Sequence, residues 1–201
     1  MNTHAHAIIN LFLLRKIFGE KKHAIPYFNA LVVFGSILPD LPMFLFYFIY
    51  TVIIPTSNKI IFEELYFLES WQSFFNLFNS IPIFLGLLGI AYLIKNKSLL
   101  VLCLASLLHF VGDFFLHNVD AHAHFFPFSK WEFHSPISYW DPQYFGNYFG
   151  LFEAVLVLGL TIPLWRGLKN KWWRVALVAI NLFNIFNLMM WPLVFKIFGW
   201  D

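Results

Sequence analysis

Five apolar runs constrain this chain more than any other feature. They are Tyr27–Ile54, Trp71–Ile94, Ser98–His117, Tyr148–Trp165 and Trp173–Phe198, each long enough, or nearly so, to cross about 30 Å of hydrocarbon. A shorter helix, Thr3–Phe18, precedes them, with Thr3 placed to serve as its N-cap. Of the 201 residues, 60% are hydrophobic and only 12% charged. A soluble domain is about a quarter charged, so this chain has too little polar surface to cover a water-soluble globule. The expected fold is all-α: a polytopic transmembrane helix bundle of about five spans plus a short N-terminal helix. Nothing resembles a repeat, a linker or a second domain, so residues 1–201 read as a single integral membrane domain. The N-terminus does not read as a signal peptide, because His4 and His6 precede the apolar run and Arg15-Lys16 follow it.

The first span is interrupted by Pro39-Asp40-Leu41-Pro42. Two prolines and an acid inside a span predict a broken helix, tolerated where the loosened backbone faces protein or a polar cavity. The basic residues set the topology. Arg15, Lys16, Lys21 and Lys22 precede the first long span; Lys95 and Lys97 separate the second and third; Arg166, Lys169, Lys171 and Arg174 separate the fourth and fifth. Alternating spans put all three clusters on one side, which the positive-inside rule makes cytoplasmic. The segments 55–70 and 118–147 then face outward, with most of the acids and histidines. Trp71, Tyr92, Trp140, Tyr148, Trp165, Trp172, Trp173, Trp191 and Trp200 near span ends fit interfacial belts. Asn181, Asn184 and Asn187 form a stripe suited to interhelical hydrogen bonds, with a substrate-facing role as the alternative.

Inside the third span, His109, Asp113 and His117 recur every fourth residue. On an α-helix they share one face, about 40° apart in succession. Ionisable groups at membrane depth are costly and usually mark function, and imidazole and carboxylate in this pattern can ligate zinc or a similar divalent metal. With alternating spans, His109 lies mid-membrane, Asp113 higher and His117 at the outer interface. Glu153, the fourth span's acid, lies about one turn below the outer surface, and Asp40 sits at the break. If the short first helix dips into the membrane with its basic end in the cytoplasm, His4 and His6 reach the same depth. Each residue alone has a structural alternative. A lone His4 or His23 can be a hydrogen-bonded core residue, and Asp40 can cap the half-helix after the proline break. An unpaired buried Glu153 would be protonated or strongly destabilising. Two ionisable residues one turn apart, as in His109 and Asp113, resist such an account.

The outer segment 118–147 adds Asp120, His122, His124, His134 and Asp141. In Asp120-Ala-His122-Ala-His124 the polar groups share a face if the segment is extended. It can supply further ligands or a general base, or it can be a solvated loop. His134-Ser135-Pro136 can reach back over the site, and Phe125-Phe126-Pro127-Phe128 with Trp131 reads as re-entrant or interfacial. A net charge of +2 without a basic stripe excludes nucleic acid as a partner. The single Cys103 excludes an internal disulfide and a thiolate metal cluster. No Gly-rich phosphate loop and no Gly-x-Ser-x-Gly elbow is present.

Thr3-His4-x-His6, Gly35-Ser36-Ile37-Leu38-Pro39-Asp40 and His109-x3-Asp113 together resemble the membrane-bound metal-dependent hydrolases, multi-pass relatives of the zinc-dependent phospholipase C superfamily. The resemblance covers roughly residues 3–117, and reaches Glu153 if that carboxylate plays the family's late acidic ligand. It implies His4 or His6, Asp40, His109 and Asp113 as ligands of a zinc cluster that hydrolyses phosphate esters, with His117 and Glu153 as further members. This chain departs from the family in two places. Leu41-Pro42-Met43 stands where a second Asp and a His often follow the Pro-Asp, and no histidine lies between His23 and His109.

The expected function is a membrane-embedded metal-dependent hydrolase of the inner membrane, its site near the outer leaflet and its partners membrane lipids. A metal-activated water would attack a phosphoester or other lipid ester. Asp120 or Glu153 would take the proton, and His4, His6, Asp40, His109, Asp113, His117 and Glu153 are the candidate zinc ligands. The rival readings are a small ion or proton transporter or channel, and a non-catalytic membrane scaffold with a structural metal.

Overall fold

In a computed structural model the chain is described over residues 1–198, with side chains described through Met190. Of the interfacial aromatics, the Trp191 side chain and Trp200 lie outside the described residues. The described residues form an all-α bundle, and five segments are long and apolar enough to cross a membrane: Phe28–Ile53, Glu69–Leu93, Lys97–Phe114, Gly146–Gly167 and Lys171–Met190. Their outer faces present large apolar side chains, such as Val155, Leu158 and Ile162 on the fourth and Leu182 and Phe186 on the fifth. That is the surface a lipid-facing helix needs.

Helix α1 (Thr3–Phe18) is the short helix expected from the sequence. It runs through the middle of the bundle. Ala5, Ile8, Leu11 and Leu14 are buried against Val32, Val101, Ala105, Val157 and Leu164 from three of the spans. Thr3 does not cap it. The helix begins at Thr3 itself, and the Thr3 hydroxyl donates instead to Asp40 Oδ2 at 2.5 Å.

The first span breaks where the prolines require it. Helix α2 (Phe28–Ile37) passes through a 3-10 turn, Leu38–Asp40, into α3 (Leu41–Phe48), and a π turn over Ile49–Ile53 completes the segment. Pro39 and Pro42 have no N–H to give, and Pro42 falls in the first turn of α3, where none is needed. Asp40 makes no capping bond; its carboxylate is turned elsewhere. A short helix, α4 (Asn58–Glu63), capped by Ser57, follows in the outer segment.

The second span carries a break that hydrophobicity alone conceals. Helices α5 (Glu69–Phe78) and α6 (Ile81–Leu93) are separated at Asn79-Ser80. Ser80 Oγ accepts from Ile83 N–H at 3.2 Å and Pro82 sits in the first turn of α6, a helix-start signal inside an apolar run. The remaining spans are α7 (Lys97–Phe114), capped by Asn96, α8 (Gly146–Gly167) and α9 (Lys171–Phe198).

Small and polar residues hold α1, α2 and α7 together. A Cβ on Gly35 would lie 2.5 Å from Leu102 O and 2.9 Å from Ala105 Cβ, so only glycine admits this approach of α2 to α7. Ser106 Oγ donates to Gly35 O at 2.7 Å, and Asn10 Nδ2 donates to both Ser36 Oγ and Ala105 O at 3.0 Å.

The bundle has two chemically distinct ends. Arg15, at the end of α1, donates to Asn29 Oδ1 beside the start of α2 and to Gly167 O at the end of α8. Arg174 Nε donates to Leu168 O. The start of α1 meets the opposite ends of α2, α7 and α8 through Asp40, Asp113 and Glu153. Hence α2, α7 and α9 run from the basic end to the acidic one, and α1 and α8 run back. Gly35→Ala, which drives a methyl into the Leu102 carbonyl, is expected to destabilise the fold by about 1–3 kcal/mol. Thermal unfolding in detergent should show a lower midpoint for Gly35→Ala and none for Gly86→Ala, whose Cβ meets nothing within 4 Å.

Candidate metal centre

Asp113 is the centre of the acidic end. It lies one turn above His109 and one below His117 on α7, and it is buried, as are both histidines. Asp113 Oδ2 lies 2.7 Å from His109 Nε2, and Oδ1 lies 2.8 Å from His6 Nε2 and 3.3 Å from His117 Nε2. The Met1 amino group donates to the same Oδ1 at 3.0 Å. Asp40 approaches from the 3-10 turn, with Oδ1 3.5 Å from His109 Nε2. The His6 and His109 rings stack with centroids 3.7 Å apart. Gly112 makes room for this, since a Cβ there would lie 2.9 Å from His6 Cε1.

Tautomers follow from the outer contacts. His109 Nδ1 lies 2.7 Å from the Ser36 carbonyl oxygen, which can only accept, so Nδ1 carries the proton. The Nε2 lone pair of a neutral ring is then aimed at two carboxylates. Nε2 of His109 is buried without a hydrogen bond of acceptable geometry, as are His6 Nδ1, His117 Nδ1 and His122 Nδ1. An imidazole whose distal nitrogen is fixed by a carbonyl or carboxylate is the arrangement by which proteins orient metal ligands. His117 Nδ1 stands 2.9 Å from Asp120 Oδ2, an electrostatic contact.

Two sets of ligand atoms lie within 4.8 Å of one another: His6, His109 and Asp113, and Asp113, His117 and His122. Each can hold a metal ion, and Asp113 belongs to both. The donor chemistry suits a divalent cation of the zinc type, which takes imidazole and carboxylate together.

His122 comes from the outer segment, which is pinned to the break between α5 and α6. Ala123 N–H donates to Asn76 Oδ1 at 3.0 Å, His124 Nδ1 lies 2.9 Å from Asn79 O, and Ser80 Oγ donates to Phe126 O. Further on, the chain folds back along the end of α7, where Ser135 N–H and Tyr139 N–H donate to His117 O and Leu116 O. Trp140 Nε1 donates to Asp120 Oδ2 at 3.0 Å. Burial, with the charge of His117 beside it, holds His122 down to about 3, which keeps the ring in its neutral, ligating form. Burial pushes the Asp120 carboxyl up, but the His117 ring outweighs it and brings Asp120 to about 2.

The structure thus gathers His6, Asp40, His109, Asp113 and His117 of the expected ligands, and adds His122. It does not bring in His4. Residues 4 and 6 are two apart on α1, about 200° around the helix, so one faces the cluster and the other faces away. The His4 Nε2 lies 3.2 Å from Asn184 Oδ1 on α9, and its ring packs edge-on against Phe183. Glu153 is buried beside the cluster and engaged elsewhere: Oε2 accepts from Asn2 N–H at 3.0 Å and Oε1 from Asn2 Nδ2 at 2.5 Å. It holds the start of α1, and so His6, in place. His134 is exposed, with Nδ1 2.7 Å from Asn118 O, and His124 serves the clamp just described. His122 had a signal in the sequence, the alternation from Asp120 to His124. Asn2 and Gly112 had none.

A cavity of about 530 Å³ adjoins the cluster, with Asp120, Glu153 and Asn2 in its wall. No protein-family model matches the chain. No curated protein and no solved structure matches it either.

Purified protein loaded with zinc and desalted should retain the metal in proportion to protein. His109→Ala and Asp113→Ala should each lose it, while His4→Ala keeps the wild-type content by elemental analysis.

Proposed function

We propose that the chain is a membrane-embedded metal-dependent hydrolase that acts on a phosphoester of a lipid-like molecule. The observation that carries this reading is the shared position of Asp113 between two sets of imidazole ligands, beside a cavity whose wall includes Asp120. The likeness of Thr3-His4-x-His6, Gly35–Asp40 and His109-x3-Asp113 to the membrane-bound metal-dependent hydrolases supports it. The positive-inside rule puts the basic end in the cytoplasm and the cluster towards the outer leaflet of an inner membrane.

His6, His109, Asp113, His117 and His122 would hold the metal, with Asp40 beside His109. There a divalent cation would supply a water of pKa lowered towards about 7 and polarisation of the phosphoryl oxygens. The rest of the chemistry belongs to the protein. Asp120 orients His117, and its Oδ1 is buried without a hydrogen-bond partner. An ionised Asp120 in the cavity wall is placed to take the proton of an attacking water. Glu153, the other candidate base, has both oxygens occupied by Asn2 and is a positioning residue. Tyr139 packs against His117 with ring centroids 4.9 Å apart and closes the cluster on the loop side.

An ion pathway fits less well. Between the cluster and Arg15 the bundle is filled by Ile8, Leu11, Leu14, Val32 and Val101, all buried. A charge travelling that way would meet a plug of hydrocarbon.

The reading is tested with the full chain in phosphatidylcholine vesicles that carry lysophosphatidylcholine, whose single-chain alcohol half matches the cavity, assayed for release of the phosphorylated headgroup. Turnover should disappear in EDTA and return with zinc. Asp120→Asn should lower kcat by about 10²–10⁴ while the metal content stays, the range for loss of a general base. Metal-independent turnover, or zinc-loaded protein without any, on this and on bis(p-nitrophenyl) phosphate, would reject it.

A further inference from the structure

The cavity beside the cluster has a composition that selects its occupant. Its lining is in part hydrocarbon and aromatic, with Met43 of α3, Phe62 of α4, Phe67 and Leu188 of α9. The same lining carries amides and carboxylates, with Asn184 and Asn187 on α9 and Asn147 on α8. Among the described residues its lining contains no Lys, Arg or His. An anionic head would therefore face the carboxylates of Asp120 and Glu153 with no cationic side chain in the lining to meet it. A cationic head finds little to pair with, because Asp120 already stands against His117 and Glu153 is satisfied by Asn2. What remains unmet is hydrogen bonding. Asn147 and Asn187 present their amides in this lining, and amides pair with hydroxyl, ester and amide groups alike. The volume, about 530 Å³, is that of a small-molecule site.

We infer that this cavity binds an uncharged amphiphile, a single hydrocarbon arm with a hydroxyl- or ester-bearing head, its arm against Phe62, Phe67 and Leu188 and its head against Asn147 and Asn187. As the seat of the alcohol half of a substrate, the cavity rests on the hydrolase reading. Such an alcohol is neutral and apolar enough to be held while the phosphoryl end faces the metal ligands. As a binding site it stands on its own lining.

The test separates the two. Wild-type protein in phosphatidylcholine vesicles with EDTA present, so that hydrolysis plays no part, is photolabelled with a monododecanoylglycerol that carries a diazirine in its tail. The labelled peptides are mapped by mass spectrometry. Labelling should concentrate on Phe62, Phe67 and Leu188 and should be competed by unlabelled monododecanoylglycerol, but not by dodecanoate or dodecylamine. Gly150 faces the cavity from α8 and its Cβ position meets nothing within 4 Å. Gly150→Trp should fill the space and lower specific labelling about tenfold, equivalent to roughly 1.4 kcal/mol, with the zinc content unchanged. Asn187→Leu removes the head contact without adding bulk and should narrow the preference for the neutral probe over dodecanoate. Labelling spread over the lipid-facing surfaces of α6 and α8 and indifferent to Gly150→Trp would overturn the proposal. So would equal competition by dodecanoate. Competed labelling in a protein without phosphoesterase activity would leave the cavity assigned and remove the hydrolase.

Discussion

A carboxylate buried in an apolar helix bundle must be compensated, and the acidic end of this molecule is organised around that requirement at Asp113. An isolated ionised carboxylate in such surroundings is strongly unfavourable, and removing the partners of a buried charge is among the more destabilising changes known, on the order of 3–5 kcal/mol. Asp113 is met by imidazoles from three directions, His6 from α1, His109 and His117 from its own helix, and by the amino group of Met1. His109 Nε2, buried without a hydrogen-bond partner, faces the carboxylates of Asp113 and Asp40. Protons alone can satisfy part of this set. A divalent cation would use in addition the inward lone pair of His109, whose other nitrogen the Ser36 carbonyl fixes.

The fold delivers these groups by making α1 an interior helix. It is too short to be a span, yet it lies between α2, α7 and α8 with its apolar side chains buried. Its basic end is tied by Arg15 and its start by Glu153 and Asp40. The proline break in the first span then has a clear use. It swings Asp40 out of helix-capping geometry and towards Thr3 and His109. The break in the second span serves the outer segment in the same way, since Asn76, Asn79 and Ser80 hold the stretch that carries His122.

Much of this was legible because hydrophobic length and charge bias are strong signals. Five apolar runs and three basic clusters fix alternating helices, and alternation puts residues 6, 40, 109 and 113 at one end. His4 and His6 both read as ligands in the sequence, although a helix cannot turn both to one face; the structure takes His6 and turns His4 to Asn184. The sequence was less informative wherever a contact depends on tertiary packing. Asn2 binding Glu153, Gly112 admitting the His6 ring and the clamp on His124 leave no periodic trace. The interruption at Ser80 was written in the residues, as a serine followed two positions later by proline, and was masked by the hydropathy around it.

The account turns on whether a metal is held by the imidazoles around Asp113. X-ray absorption at the zinc edge of the purified, zinc-loaded protein tests this most directly. The account predicts nitrogen and oxygen neighbours at about 2.0–2.1 Å, with the outer-shell scattering of several imidazole rings and no sulfur. A spectrum of hydrated zinc without imidazole scattering would contradict it, and would leave Asp113 neutralised by protons alone.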